Sequence, residues 1–357
     1  MNIRFQSLLC ASILTALASF ASLGYAFAAS VAEVANYAGA DRQVFLEAGA
    51  RKEGSVQLYG TGTQDEPIYE AFRKKYHYIK LEAFRAGAVD VARRLMEETK
   101  ANRYTADAIF LSTGALGELK RQGGILQPFN TPDMANYRKD AIEAGRLWVN
   151  DYQSYLSLGW NTKEIKEADV PKTYDDLLDP KWKGKLYVSD WASTFAYWVG
   201  AAKIAKGEDY LLKLGQQGVI AYAVSPRAVA NFVVSGEAPI SPVIYSSHMA
   251  NSKREGASVA WRALGPTFTQ VGNVAVHAKA PHPHGAMLLL DFFLSKEMQA
   301  LRIDLGYSTA RTDMTNIQTP PPEVLDLPSR PNFEQEFEEW SALGLKVFGK
   351  GREPAKK

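Results

Sequence analysis

The stretch that decides the fold class is Gly54-Ser-Val-Gln-Leu-Tyr-Gly-Thr-Gly-Thr-Gln-Asp-Glu-Pro-Ile-Tyr-Glu70. In its first part, Val56, Leu58 and Tyr59 are typical of a short buried strand. A turn of glycines and hydroxyl residues follows at 60–64, and the acids and proline at 65–67 favour the first turn of a helix. Because a strand that turns into a helix leaves backbone N–H groups free, this stretch predicts a small-molecule-binding edge.

Nucleotide-binding loops share part of this pattern. Gly60 and Gly62 match the start of a dinucleotide fingerprint, but its third glycine would fall at Asp65. No Gly-Lys-Ser/Thr sequence follows, so a phosphate-cradling P-loop is also excluded. An ordinary strand-to-helix turn without a ligand remains the open alternative for this segment.

The composition of the chain limits the classes of partner. Its 357 residues are enough for two packed domains. With 41 basic and 39 acidic residues, the chain carries no excess charge of the kind that binds polyanions, so no nucleic-acid partner is expected.

The N-terminal residues 1–29 are typical of a cleavable secretory signal. Arg4 supplies the positive start, residues 8–23 are apolar or small, and Ala26-Phe-Ala28 matches the cleavage pattern. An uncleaved membrane anchor is the alternative. The single cysteine, Cys10, lies within this segment, so the mature protein is expected to be periplasmic and free of disulfides.

Strand, loop and helix patterns alternate three times in the first part of the chain. Residues 31–52 predict one helix, with Val44, Phe45 and Ala48 facing the core. Further strands are expected at 79–84 and 108–111, each followed by a loop and a helix. Alternation of this kind predicts a mostly parallel sheet flanked by helices, with ligands bound at the carboxyl ends of its strands.

A second block of the same kind follows an extended aromatic stretch at 148–161. The block contains strands at 186–188 and 243–245 and a helix at 195–205. The chain then returns to the first lobe after Gly265-Pro266 and ends in helices at 284–304 and 332–343 and a frayed basic tail at 350–357. Two α/β lobes joined by two extended crossovers predict a hinge that closes around a ligand.

At this point the chain resembles the bacterial solute-binding proteins of ABC importers, in their ferric-iron, polyamine and organophosphate branch. Three segments carry the resemblance, namely Ala50–Tyr59, the Asp-Leu-Leu-Asp-Pro-Lys-Trp-Lys-Gly motif within Tyr174–Lys185, and Ala280–Ala286. The resemblance implies a two-lobed type II periplasmic-binding-protein fold, α/β in class, whose lobes are joined by two crossover strands. The implied division is a signal peptide at 1–29, lobe 1 at 30–149 and 265–357, and lobe 2 at 150–264.

The same resemblance implies a monomer that delivers a small-molecule solute to the membrane subunits of an ABC permease. Ferric-binding members of the family hold iron with two adjacent tyrosines from the second lobe and with a histidine and a carboxylate from the first. Phenolate and carboxylate oxygens suit a hard cation such as iron(III). Here the corresponding region reads Tyr245-Ser-Ser-His248, so no metal site and no cofactor are predicted.

The loops at the predicted strand ends offer hydroxyls, helix N-termini and arginines, which suit a phosphate, phosphonate or carboxylate. Aromatic residues nearby could form the apolar wall of a cleft. The predicted ligand-binding residues are Thr61, Thr63, Gln64, Arg85, Ser112, Thr113, Tyr152, Trp191, Ser193, Thr194, Arg227, Tyr245, Ser246 and Ser247. Surface arginines and core aromatics are the alternative interpretation of the larger side chains.

We therefore expect a non-catalytic periplasmic receptor for a small anionic organic or phosphorylated solute. An iron(III) receptor of the same family is the alternative. A secreted hydrolase is a different possibility, because two serines precede His248, but no Gly-x-Ser-x-Gly motif or acidic partner accompanies them. A protein that presents its ligand to a membrane sensor is a third.

Overall fold

A computed structural model describes residues 29–61, 66–190, 192–316, 323–330 and 332–353. The strands are β1 Ser55–Gly60, β2 Lys80–Arg85, β3 Ala108–Leu111, β4 Leu126–Gln127, β5 Val149–Asn161, β6 Tyr187–Ser189, β7 Ile220–Tyr222, β8 Ile240–Tyr245, β9 Val259–Arg262, β10 Thr267–His277 and β11 Val324–Leu325. The helices are α1 Val31–Ala35, α2 Arg42–Glu53, α3 Glu66–Lys75, α4 Ala88–Lys100, α5 Thr113–Gln122, α6 Ala192–Lys206, α7 Glu208–Gly215, α8 Pro226–Ser235, α9 Ser246–Arg254, α10 Pro283–Leu294, α11 Lys296–Asp304 and α12 Phe333–Phe348.

The predicted signal sequence falls on residues that lie, apart from Ala29, outside the described ranges, and its cleavage stays a prediction. Within those ranges no helix combines the length and apolar character needed to cross a membrane.

A mixed sheet connects the two lobes. Its strands follow the order β2-β1-β3-β10-β5-β8, with β4 and β11 added at β10 and β9 added at β5. β1 is parallel to β2 and to β3, so the carboxyl ends of all three strands lie at one edge of the sheet. This arrangement confirms the predicted two-lobed α/β fold and places the loops after β1, β2 and β3 together.

The two crossover strands are β5 and β10, which pair antiparallel between Thr269–Val274 and Val149–Tyr155. The register shifts between Gly272 and Asn273, where a β-bulge lies. Beyond this pairing, β5 continues into the second lobe and pairs with β8 and β9. The long extended stretch predicted at 148–161 is therefore the strand that links the lobes.

The first-lobe end of β5 is held by a buried ion pair. Arg302 and Asp151 are both fully buried, and the guanidinium donates to the carboxylate. Gln299 Nε2 also donates to Asp151 Oδ1 at 2.9 Å, and Arg302 lies 4.9 Å from the centre of the Tyr152 ring. Because removing one partner would leave a buried charge uncompensated, this pair fixes β5 firmly to the first lobe.

The predicted single helix at 31–52 was wrong in its extent and, except for Phe45, in the residues expected to face the core. The chain forms the short α1, breaks at 36–41 and starts again at Arg42. The residues that face inward are Arg42, Leu46 and Ala50, at a spacing of four, whereas Val44 is 69% exposed. Because α2 begins anew at Arg42, its rotation about the helix axis is independent of α1, and this rotation decides which residues face the core.

The C-terminal part of the chain lies on the second lobe, which differs from the predicted division at 265–357. α12 packs against α6 with Trp340 over Gly200, where a Cβ atom would lie 2.5 Å from the indole ring. Trp340 accordingly belongs to the core cluster that contains Trp160 and Trp198. Arg352, predicted as part of a frayed tail, forms backbone hydrogen bonds with Ala221 and Ala223.

Candidate functional site

Three first-lobe loops meet at the carboxyl ends of β1, β2 and β3. After β1, Thr61 donates its backbone N–H to the Phe110 carbonyl at 3.3 Å. After β3, Ser112 occupies the N-cap position of α5, and the Thr113 hydroxyl accepts from Asn273 Nδ2 at 3.2 Å. These three predicted residues are therefore brought together, whereas Thr63 and Gln64 lie outside the described residues.

Arg85 ends β2 and carries the positive charge of these first-lobe loops. Its guanidinium pairs with the Glu66 carboxylate at the start of α3 and lies 5.0 Å from the centre of the Tyr69 ring. Arg73 also pairs with Glu66, and the hydrogen bonds from Arg73 and then Arg85 lower the pKa of Glu66. Because Glu66 stays ionised, Arg85 has a carboxylate partner within its own lobe, which it shares with Arg73.

The second lobe contributes a group of four side chains at the ends of its strands, which we call the second-lobe cluster: Thr194, Arg227, Tyr245 and His248. Tyr245 ends β8, and its hydroxyl accepts from Thr194 Oγ1 at 3.2 Å. The Tyr245 ring stands nearly perpendicular to the His248 ring, with 5.6 Å between their centres. Burial raises the pKa of Tyr245, so its phenol stays protonated at neutral pH.

Arg227 is the second residue of α8 and is half-buried. Its Nη1 donates to the His248 carbonyl oxygen at 3.1 Å. Among the residues that the structure describes, no carboxylate lies at ion-pair distance from Arg227. A half-buried guanidinium satisfied only in part, and without a counter-charge, favours an anion as its partner.

His248 is 9% exposed and is the third residue of α9. Burial, and secondarily the charge of Arg227, lower the pKa of His248 to about 3. Its Nδ1 is buried and has no hydrogen-bond partner within the described ranges. The imidazole is therefore neutral at physiological pH, and Arg227 is the permanent cation of the second-lobe cluster.

Ser246 and Ser247, also predicted to bind the ligand, are buried beneath this cluster. Ser246 Oγ accepts from the Tyr155 backbone N–H at 3.1 Å, and the Ser154 hydroxyl donates to Ser247 Oγ at 2.9 Å. The Ser247 backbone N–H in turn donates to Ser154 Oγ at 3.3 Å. These contacts join the N-terminus of α9 to the crossover strand β5.

Two other aromatic residues, Tyr152 and Trp191, were predicted to bind the ligand. Tyr152 is buried in the first-lobe core, with its ring centre 4.4 Å from that of Tyr307. Trp191 lies outside the described residues, as does the side chain of Ser193. The ligand set predicted from the sequence omitted His248, although its position just after a strand end was the signal that could have placed it there.

The described residues contain no group of three or more histidine, cysteine, aspartate or glutamate side chains that could hold a metal ion. The second-lobe cluster provides a cation, hydroxyls and a neutral imidazole. Such a set binds an anionic oxygen more readily than a bare metal cation.

Comparisons with known proteins show the family of the chain. Residues 106–326 match the family model of a bacterial extracellular solute-binding protein. An uncharacterized protein of Haemophilus influenzae is 27% identical over 290 residues, covering 76% of this chain and 82% of that protein.

Solved structures show the same fold. Iron-bound HitA from Pseudomonas aeruginosa superposes with a TM-score of 0.65 at 23% identity, covering 82% of this chain and 99% of that one. The Trichodesmium protein IdiA (FutA), solved in complex with iron and citrate, gives a TM-score of 0.62 at 17% identity, covering 83% of this chain and all of that one.

Proposed function

Because the chain belongs to the bacterial extracellular solute-binding proteins, we propose that it is the periplasmic receptor of an ABC importer for a small anionic organic or phosphorylated solute. The observation that carries the anionic specificity is Arg227, a half-buried cation without a carboxylate partner among the described residues. Family and fold are those of binding proteins and not of enzymes. Residues 1–29 would direct export and be removed.

The binding mechanism follows from the crossover strands. β5 is fixed to the first lobe by Asp151 and Arg302 and to α9 of the second lobe by Ser154. The segment between these anchors is where the backbone can bend when the lobes close. Closure would bring the first-lobe loops over an anion held at Arg227, and the permease would recognise the closed form.

In the bound state, the solute's anionic oxygens would take the remaining guanidinium donors of Arg227. The Tyr245 hydroxyl, which already accepts from Thr194, would donate its own hydrogen to the solute. Thr61 and the N-terminal turn of α5 would contribute hydroxyl and backbone N–H donors from the other lobe.

Iron(III) is the second candidate solute, because HitA and the Trichodesmium protein were solved with iron. Tyr245 would be a ligand, together with an exogenous anion such as a carboxylate. Iron binding would require the Tyr245 phenolate, whereas burial holds this phenol protonated and the permanent charge of the second-lobe cluster, at Arg227, is positive. A cation would therefore bind here only together with an anion that offsets Arg227.

A thermal-shift screen separates the two candidates. The panel contains phosphate monoesters, phosphonates, carboxylates and ferric citrate, each at about 100 times its dissociation constant where solubility permits. A bound solute should raise the midpoint by roughly 5 °C, from a stabilisation of about 2.7 kcal/mol. The proposal predicts a shift with iron-free anions. A shift with ferric citrate alone, together with a visible phenolate-to-iron absorption band, would replace it with the iron receptor.

A further inference from the structure

The C-terminal segment Gly349–Arg352 runs beside the strand that leads to α8. Arg352 donates its backbone N–H to Ala221 O, and Ala223 donates to Arg352 O, both at 3.0 Å. Arg352 and Tyr222 form a parallel β-bridge. The Arg352 guanidinium lies 5.2 Å from the centre of the Tyr222 ring. The segment therefore adds a single parallel β-bridge, at Arg352, to the small β6–β7 sheet of the second lobe.

Gly351 contacts Asp190, which lies just before α6 and Thr194. Its backbone N–H donates to Asp190 Oδ2 at 2.9 Å. Asp190 follows β6, and its own N–H donates to Tyr222 O at 3.0 Å. A Cβ atom at position 351 would lie 2.5 Å from Asp190 Oδ2 and 2.6 Å from Ala223 N, so only glycine permits this approach.

Asp190 lies four residues before Thr194, at the entry to α6. The position of that entry decides whether Thr194 reaches the Tyr245 hydroxyl. α12, the helix that leads into the C-terminal segment, packs on the middle of α6 through Trp340 and Gly200. The C-terminal part of the chain thus contacts α6 at its middle and, through Asp190, at its beginning.

We infer that the segment Gly349–Arg352 is a positioning element of the solute site, in which Gly351 holds Asp190 and thereby sets the entry of α6 against Tyr245. This inference rests on the proposed function, since it assumes that Thr194 and Tyr245 contact the solute. Asp190 acts here through the loop that it anchors and not by touching the solute. The chain end thereby belongs to the binding machinery of the second lobe.

Two truncations of the full chain test the inference. One ends at Gly349 and removes both the Arg352 bridge and the Gly351 contact to Asp190, and the matched control ends at Glu353 and removes only residues 354–357. Hydrogen exchange, followed by mass spectrometry without any solute, should accelerate at least fivefold in peptides covering 187–197 of the first truncation. The control truncation should exchange like the full chain. Equal protection of 187–197 in the two truncations would overturn the inference.

Point variants separate positioning from overall stability. Asp190→Ala removes the acceptor of the Gly351 N–H, whereas Asp190→Asn keeps an acceptor oxygen and should restore binding. Affinities are measured with glycerol 3-phosphate and with ferric citrate, the two candidate chemistries. Asp190→Ala should weaken whichever probe binds the wild-type protein by about tenfold, equivalent to about 1.4 kcal/mol. Asp190→Asn should stay within about threefold of wild type.

The outcomes also distinguish this inference from the proposed function. A merely structural contact would lower the thermal midpoint and raise exchange throughout α6 and α12 while leaving affinity unchanged, and that result would overturn the positioning role. The exchange measurement needs no solute, so it decides whether Gly349–Arg352 holds the entry of α6 even if the wild-type protein binds neither probe. Failure of the wild-type protein to bind either probe would count against the proposed function alone.

Discussion

The first-lobe loops and the second-lobe cluster each carry one arginine, and the two arginines differ in their partners. Arg85 is paired with Glu66, nineteen residues away in the sequence, a carboxylate that it shares with Arg73 inside the first lobe. Arg227 donates to a backbone carbonyl, and within the described residues it has no carboxylate at ion-pair distance. The arginine without a carboxylate partner, and with it the stronger attraction for an anion, therefore lies on the second lobe.

Under the proposed function, this difference would give the lobes separate roles. The second lobe would supply the charge that selects the solute, and the first lobe would supply hydroxyl and backbone donors that close over it. Neutral donors on the closing side have an advantage, because they add hydrogen bonds without a second large desolvation cost.

The largest effect is expected from Arg227→Gln, which abolishes the charge difference between the lobes. Loss of a charge-assisted contact in a closed cleft should cost about 2–4 kcal/mol, or roughly 30- to 1,000-fold in affinity for the anion that the thermal screen identifies. Isothermal titration calorimetry measures it. Arg227→Lys is the matched control and should lose less, since it keeps the charge without the planar fork. Unchanged binding by Arg227→Gln would contradict the claim that Arg227 supplies the positive charge for the anion.

The neutral state of His248 is tested by the dependence of stability on pH. The pKa of this histidine is about 3 in the folded protein and near 6.5 in the unfolded chain, so the unfolded state takes up the proton first as the pH falls. Its contribution to stability is complete above pH 6.5 and is lost towards pH 3. Lowering the pH from 7 to 5 should therefore remove about 2 kcal/mol of folding free energy through this group.

Urea unfolding of wild type and of His248→Asn at both pH values isolates that contribution. His277, whose pKa burial lowers to about 4, is present in both proteins and cancels from the difference. The variant should lose less stability than wild type between pH 7 and 5. An equal loss would mean that the pKa of His248 is the same in the folded and unfolded states, so that burial does not hold the imidazole neutral.

How far the sequence predicts this structure depends on the range of the interactions. Local apolar runs followed by glycine or hydroxyl turns placed β1, β2 and β3 and the loops after them. The compensation of Arg85 by Glu66 could not be read from the sequence, because it depends on how α3 sits beside β2. The burial of Ser247 against Ser154, 93 residues earlier in the chain, was equally hidden. A hydroxyl at a strand end predicts a location, and tertiary packing decides whether it faces a ligand.

The docking of α12 shows the same limit in the core. Its amphipathic pattern predicted a helix at 332–343 but not its partner. The contact depends on Gly200 leaving room for the Trp340 indole, a fit between residues 140 positions apart. Helix existence follows from local periodicity, whereas helix placement follows from such pairs.

A smaller effect is expected from Tyr245→Phe, a variant that distinguishes an anionic solute from iron(III). For an anionic solute the variant loses one neutral hydrogen bond and should bind about three- to tenfold more weakly, or about 1 kcal/mol. For an iron(III) solute it would lose a metal ligand and binding should be nearly abolished. Titration with the anion and with ferric citrate decides between the two, and Thr194→Val serves as a control that disturbs the hydroxyl without removing it.

The smallest effect is expected from Arg85→Gln, since this guanidinium already has a carboxylate partner in Glu66. Affinity for the anion should change by less than about twofold, and stability by less than about 1 kcal/mol. The companion variant Glu66→Gln releases Arg85 and should tighten anion binding a few-fold at low salt, an increase that fades as the salt concentration rises. A large loss of affinity in Arg85→Gln would show that both lobes carry charge to the solute.

The most direct test of the asymmetry is a crystal structure of the protein closed on the solute with which it is purified from the periplasm. We predict anionic oxygens at about 2.7–2.9 Å from the Arg227 guanidinium, with Arg85 still paired to Glu66. An anion seated on Arg85, or an iron ion about 2 Å from Tyr245 Oη, would contradict the account.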